Sequence, residues 1–126
     1  MRTIIVLLGW LLISGVAASP VNSVPSGVRV TLEPSVSPIP LNQMHSWTVL
    51  LQTDSGEAIS DAQIQVNGGM PAHDHGLATN PQITRYLGEG RYLLEGVRFH
   101  MPGEWLLRLE INHLQQLYRA DITVNL

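Results

Sequence analysis

Two short segments hold the residues best suited to chemistry: Met70-Pro71-Ala72-His73-Asp74-His75-Gly76 and, further along, Phe99-His100-Met101-Pro102-Gly103-Glu104-Trp105. Between them they carry three of the five histidines and two of the four methionines, in turn-like Pro/Gly contexts, in a chain with no cysteine. Imidazole with thioether suits copper, because histidine accommodates either oxidation state and methionine sulfur is soft and favours Cu(I). Zinc could use the histidines, but a methionine adds little for it. The candidate metal ligands are therefore Met70, His73, His75, His100 and Met101. If residues 73–75 are extended, His73 and His75 point to one side and Asp74 away, which makes Asp74 a surface or supporting group. The same alternation, continued from Val97 and Phe99, turns Met101 toward the core and leaves His100 outward, unless the bend at Pro102-Gly103 relieves it. Each residue also has a plainer reading. A His-x-His pair in a loop is often a solvated turn, and methionine usually fills gaps in a core. His45, just before a strand, reads as structural or solvated, and Trp47 and Trp105 as core.

Strands must position these loops, because most of the chain alternates with a period of two. Val28, Val30 and Leu32 share one face of a first strand; Trp47, Val49 and Leu51 do so in a second, and Ala62, Ile64 and Val66 in a third. A fourth over residues 83–87 turns through Gly88-Glu89-Gly90 into a fifth over residues 91–99, which is a hairpin signal. Pro102-Gly103 suits a type II turn, with proline at the first central position and glycine at the second. Trp105, Leu107, Leu109 and Ile111 then alternate in a sixth strand, and Tyr118, Ala120, Ile122 and Val124 in a seventh. Seven short strands without a helical run predict an all-β, antiparallel immunoglobulin-like β-sandwich, with a small barrel as the alternative. If the strands alternate in direction, Met44-His45, the loop of residues 70–75 and His100-Met101 fall at one end, and His113 falls at the other. Binding sites commonly occupy such clustered loops.

The amino terminus bears on compartment. Met1 and Arg2 begin the chain, residues 4–13 are almost wholly apolar, and Val16-Ala17-Ala18 supplies small residues before Ser19. This is the pattern of a secretory signal over residues 1–18, with an uncleaved anchor as the lesser alternative, since the apolar run is short for a membrane span. The remaining 108 or so residues are enough for one domain with an ordinary packed core. Residues 19–26 read as a flexible lead-in and residues 27–126 as the domain. A periplasmic or secreted location is expected. Without cysteine there is no disulfide, no thiolate ligand and no lipoprotein acylation site. The formal net charge is −3 and the basic residues are scattered, so nucleic acid is not expected as a partner.

Gly68-Gly69-Met70-Pro71-Ala72-His73-Asp74-His75-Gly76, Pro81, Tyr92 after a Gly-x-Gly turn, and the segment from Phe99 to Trp105 together resemble the YtkA-like domain, which is related to FixH-type proteins. The resemblance covers roughly residues 27–125 and rests on two motifs in the right order. It implies a small extracytoplasmic immunoglobulin-like sandwich, relatives associated with copper handling and respiratory oxidase assembly, and a candidate copper site at Met70, His73, His75 and His100. The chain departs from the FixH type in lacking a clear retained membrane helix.

The leading expectation is thus a copper-binding or copper-delivering domain, its partner an envelope or membrane protein that handles copper. The alternative is a metal-free interaction module that docks through the same loops. An enzyme is not expected: there is no cysteine nucleophile, no Gly-x-Ser-x-Gly, and no convincingly placed pair of carboxylates.

Overall fold

The computed structural model of the protein describes residues 19–126; the expected signal segment, residues 1–18, lies outside the described residues. In chain order the strands are β1 (Val21–Asn22), β2 (Val28–Pro34), β3 (His45–Thr53), β4 (Gln63–Met70), β5 (His75–Gly76), β6 (Gln82–Gly88), β7 (Arg91–Val97), β8 (Glu104–His113) and β9 (Gln116–Asn125). Among the described residues there is no helix, and so none long and apolar enough to cross a membrane. Two antiparallel sheets form, ordered β1-β2-β3-β7-β6 and β5-β4-β8-β9, rather than one closed barrel. The strand count is nine instead of the expected seven. The two extra strands, β1 and β5, are each two residues long, too short for alternation to reveal.

The expected lead-in is part of the fold. Val21 pairs with Val30, and Val24 exchanges backbone hydrogen bonds with Arg119 of β9 at 2.8 and 2.9 Å. Ser23 is buried, its hydroxyl accepting from the Val28 N–H and donating to the Pro25 carbonyl. These partners satisfy the backbone that joins the two sheets at this side, so residues 21–24 are tied down.

The alternating residues build a single core. Val28, Val30, Leu32, Trp47, Val49 and Leu51 of one sheet face Val66, Trp105, Leu107, Leu109 and Ile111 of the other, and all are buried. The chain crosses between sheets after β3, where the Tyr92 hydroxyl donates to the Ile59 carbonyl at 2.8 Å and accepts from the Ala62 N–H at 3.1 Å. The β6–β7 hairpin turns as expected, with Glu89 and Gly90 both at positive φ (53° and 78°), the geometry of a type I′ turn.

One irregularity decides which way the site residues face. Trp47 lies opposite Leu94 but His45 opposite Val97, so β7 carries one extra residue there, a bulge beside Gly96 at φ 84°. Without it, the inward row Tyr92 and Leu94 would continue through Gly96 and Arg98. With it, Val97 and Phe99 turn inward and are fully buried, and His100 is exposed.

Candidate metal centre

β3 begins, β4 and β7 end, and β8 begins at the same end of the molecule, which gathers residues 44–45, 70–75 and 100–103 there. Met70 ends the inward row Ile64, Val66, Gly68 of β4 and is itself buried, 2% exposed. The chain then turns back: the His73 N–H donates to the Met70 carbonyl at 3.1 Å, with Pro71 preset for the turn, and His75 pairs with Met70 as β5 begins. Between the histidines Asp74 sits at φ 53°. Residues 73–75 are therefore not extended as expected, because the hairpin closes through a left-handed residue, a conformation that aspartate tolerates better than most. The two imidazoles nonetheless come together, ring centroids 6.2 Å apart and 25° from parallel, and both side chains are exposed, as is Asp74.

The second motif reaches the same place from the other sheet. His100 leaves β7 outward and its ring lies 6.2 Å from that of His75, edge to face. On its other side it meets the Trp105 ring at 5.2 Å, also edge to face. Trp105 is fully buried, and its indole N–H donates to the Met101 carbonyl at 3.0 Å, bracing the segment that carries His100. Met101 is half-buried and packs on the core, the inward placement that alternation anticipates. The Pro102-Gly103 bend is not a hydrogen-bonded type II turn. Gly103 instead pairs with Leu126, each N–H donating to the other's carbonyl, at a φ of 134°. An added Cβ at Gly103 would fall 2.6 Å from the Met70 methyl, the far end of that side chain, which would have to shift, and at this positive φ a larger residue would also be strained.

His73, His75 and His100 thus form a continuous exposed row, with the two thioethers on the core side of it. Among the described residues, no three His, Asp or Glu side chains are drawn together closely enough to hold a metal ion as they stand. The spacing can be tested against what a shared ion requires. With N–metal bonds of about 2.0–2.1 Å, two imidazoles on opposite sides of an ion have ring centroids about 6 Å apart, and two in a tetrahedral arrangement about 5 Å. Each adjacent pair in the row is 6.2 Å apart, so a shared ion would require these exposed side chains to rotate until their ring nitrogens converge.

The other histidines are occupied differently. His45 lies at the same end, but its ring packs against Phe99 at 5.7 Å and Trp47 at 6.2 Å, two residues of the core. Its Nδ1 is 2.9 Å from the Gln43 carbonyl, the contact of an N–H donor, and its Nε2 is buried without a partner among the described residues. His113 is at the opposite end, the last residue of β8 before the tight turn into β9, with Nδ1 3.3 Å from an Asp61 carboxylate oxygen. The parity argument therefore separates His113 from the row correctly.

Sequence reasoning missed what orients His100. Trp105 reads as plain core from its alternation, yet it both flanks the ring and holds the Met101 carbonyl. Its place in Phe-x-Met-x-Gly-x-Trp, four residues after Met101, was the available signal. Arg108 was also missed: it lines a cleft of about 290 Å³ with Asp74 and His75, on the outer side of the β4–β8 sheet.

Residues 22–110 match the YtkA-like family, a span that includes both motifs. No curated protein matches the chain.

Proposed function

Because the chain belongs to the YtkA-like family, we propose that it is an extracytoplasmic copper-binding or copper-delivering domain, without catalytic turnover, whose ligands come from His73, His75 and His100 with Met70 and Met101 behind them. The observation that carries this reading is the row of three exposed imidazoles, each 6.2 Å from the next, contributed by loops of both sheets. Neutral imidazole pairs suit Cu(I), which accepts low coordination numbers, and the soft sulfurs nearby favour the same oxidation state. An exposed site with few ligands leaves room for a donor atom from a copper-handling envelope or membrane partner, as delivery requires. The apolar segment ending in small residues before Ser19 supports a periplasmic or secreted location. The finer fold reading is immunoglobulin-like. In support, β2-β3-β7-β6 against β4-β8-β9 follows the strand order of a constant-type domain, with β5 as an additional short strand beside β4.

Titration with Cu(I) against a competing chelator tests the reading. About one Cu(I) per chain is expected, and His73→Ala/His75→Ala should weaken its retention at least about tenfold, since even supporting residues at metal sites cost that much. Affinity should also fall as the solution is acidified, because protonated imidazole cannot ligate. Equal retention by the protein and the double variant would remove these residues as ligands and favour the metal-free interaction module.

A further inference from the structure

Among the described residues, no strand pairs with the outer edge of β4 along residues 63–67, although the start of β6 comes near it across the sandwich, and the register of this edge is complementary to itself. In the β8–β9 hairpin, His113 pairs with Gln116 across a two-residue turn, so Leu107, Leu109 and Ile111 direct their backbone groups toward β9. Their β4 partners Gly68, Val66 and Ile64 must then direct theirs away from β8. The Gly68 carbonyl confirms the phase, accepting from the Leu77 N–H at 3.1 Å on that outer side. β5 covers the edge only at Gly69 and Met70. For Ile64 and Val66, no partner of the outward N–H and C=O groups is found among the described residues. An open cleft of about 440 Å³ lies alongside, between residues 64–67 and residues 80–83.

Edge strands of monomers are ordinarily blunted by charge, proline or a bulge. β4 has none of these: Gln63–Met70 contains no charged residue and no proline, and its pairing with β8 is regular throughout. By contrast β6, one edge of the other sheet, carries Arg85 and two irregularities.

We propose that a second copy of this chain pairs with this edge, β4 against β4 in antiparallel fashion, about a two-fold axis through Gln65. In that register Ile64 lies opposite the second copy's Val66 and exchanges both backbone hydrogen bonds with it, and the axis repeats the exchange. Gln65 meets its own copy, and Gln63 meets Asn67, so exposed amides face amides on the outer side while Ile64 and Val66 meet on the inner side. Neither copy's β5 has to move, because the paired stretch ends before Gly68. The antiparallel arrangement sends the two Met70 ends, and with them the two histidine rows, in opposite directions. Pairing is therefore independent of metal.

Sedimentation equilibrium of the purified protein with chelator present, over a series from low micromolar to millimolar, tests this. A reversible monomer–dimer equilibrium is expected. Gln65→Lys, which places like charges face to face on the axis, should weaken it by about fivefold, and Gln63→Lys/Asn67→Asp, which creates two opposite-charge pairs, should tighten it by about as much. Thr123→Lys, exposed on β9 away from this edge, should change nothing. Hydrogen exchange gives a direct readout: protection of the Ile64 and Val66 amides should rise with protein concentration. A monomer throughout the series, or self-association that ignores both charge variants and leaves those two amides unprotected, overturns the proposal.

Discussion

At the scale of single residues, Asp74 and Gly103 set how the two motifs meet. Asp74 holds the left-handed backbone that lets β4 turn back through His73 and His75. A β-branched residue pays about 1–2 kcal/mol there, because its Cβ crowds the following carbonyl. Asp74→Val should therefore lower stability by roughly that amount in urea denaturation, whereas Asp74→Gly should leave it unchanged or slightly raised. The residue types at the site were legible in the sequence, and so was the outward His100 beside an inward Met101. The backbone of residues 73–75 was not, because its left-handed step follows from a hairpin closure that depends on the two-residue β5. The burial of Met70 agrees with the plainer, gap-filling reading of methionine, but its partner was not legible: its methyl lies against the space that a Cβ at Gly103 would take, a contact between residues remote in sequence.

At the scale of elements, the bulge on β7 governs the site from a distance. Gly96, at φ 84°, absorbs the extra residue between the pairs Trp47–Leu94 and His45–Val97, and thereby turns Phe99 into the core and His100 out of it. A Cβ at Gly96 has room, its nearest neighbours lying 3.7 Å away or more, so the cost of Gly96→Ala is conformational. It should amount to about 1–2 kcal/mol in chemical denaturation, with the His100 ring resonances shifting while those of His113 stay in place. Alternation made most strands legible, from Val28, Val30 and Leu32 to Trp105, Leu107 and Leu109. It could not locate the bulge, because the inward rows before and after Gly96 each look regular by themselves. It also missed the docking of residues 21–24, which rests on Ser23 and on the Val24–Arg119 pairing rather than on any apolar period.

At the scale of the whole molecule, two sheets enclose one core and present two opposite ends. The end away from the histidine row is fastened by Tyr92, whose hydroxyl ties β7 to the crossover at Ile59 and Ala62. Burial raises its phenol above the ordinary value of 10.0; the Ala62 N–H opposes that rise, and Tyr86 and Asp61 add to it. A phenol raised in the folded state contributes stability that is fully present below the unfolded value and is lost as pH climbs from there through the folded value. Tyr92→Phe should cost about 1–3 kcal/mol at neutral pH, from the Ile59 carbonyl left without its donor, and should flatten the alkaline loss of stability seen in urea denaturation across pH. Strand direction, read from the order of turns, correctly assigned His113 to this far end and His73, His75 and His100 to the other. The most direct test of the account is to follow the nitrogen resonances of all five imidazoles while Cu(I) is added to the isotopically labelled protein. The rings of His73, His75 and His100 should shift and saturate together at about one equivalent, while those of His45, packed on Phe99, and His113, beside Asp61, stay where they are. Shifts at His45 or His113 with the other three unmoved, or no saturable shift at any ring, would contradict it.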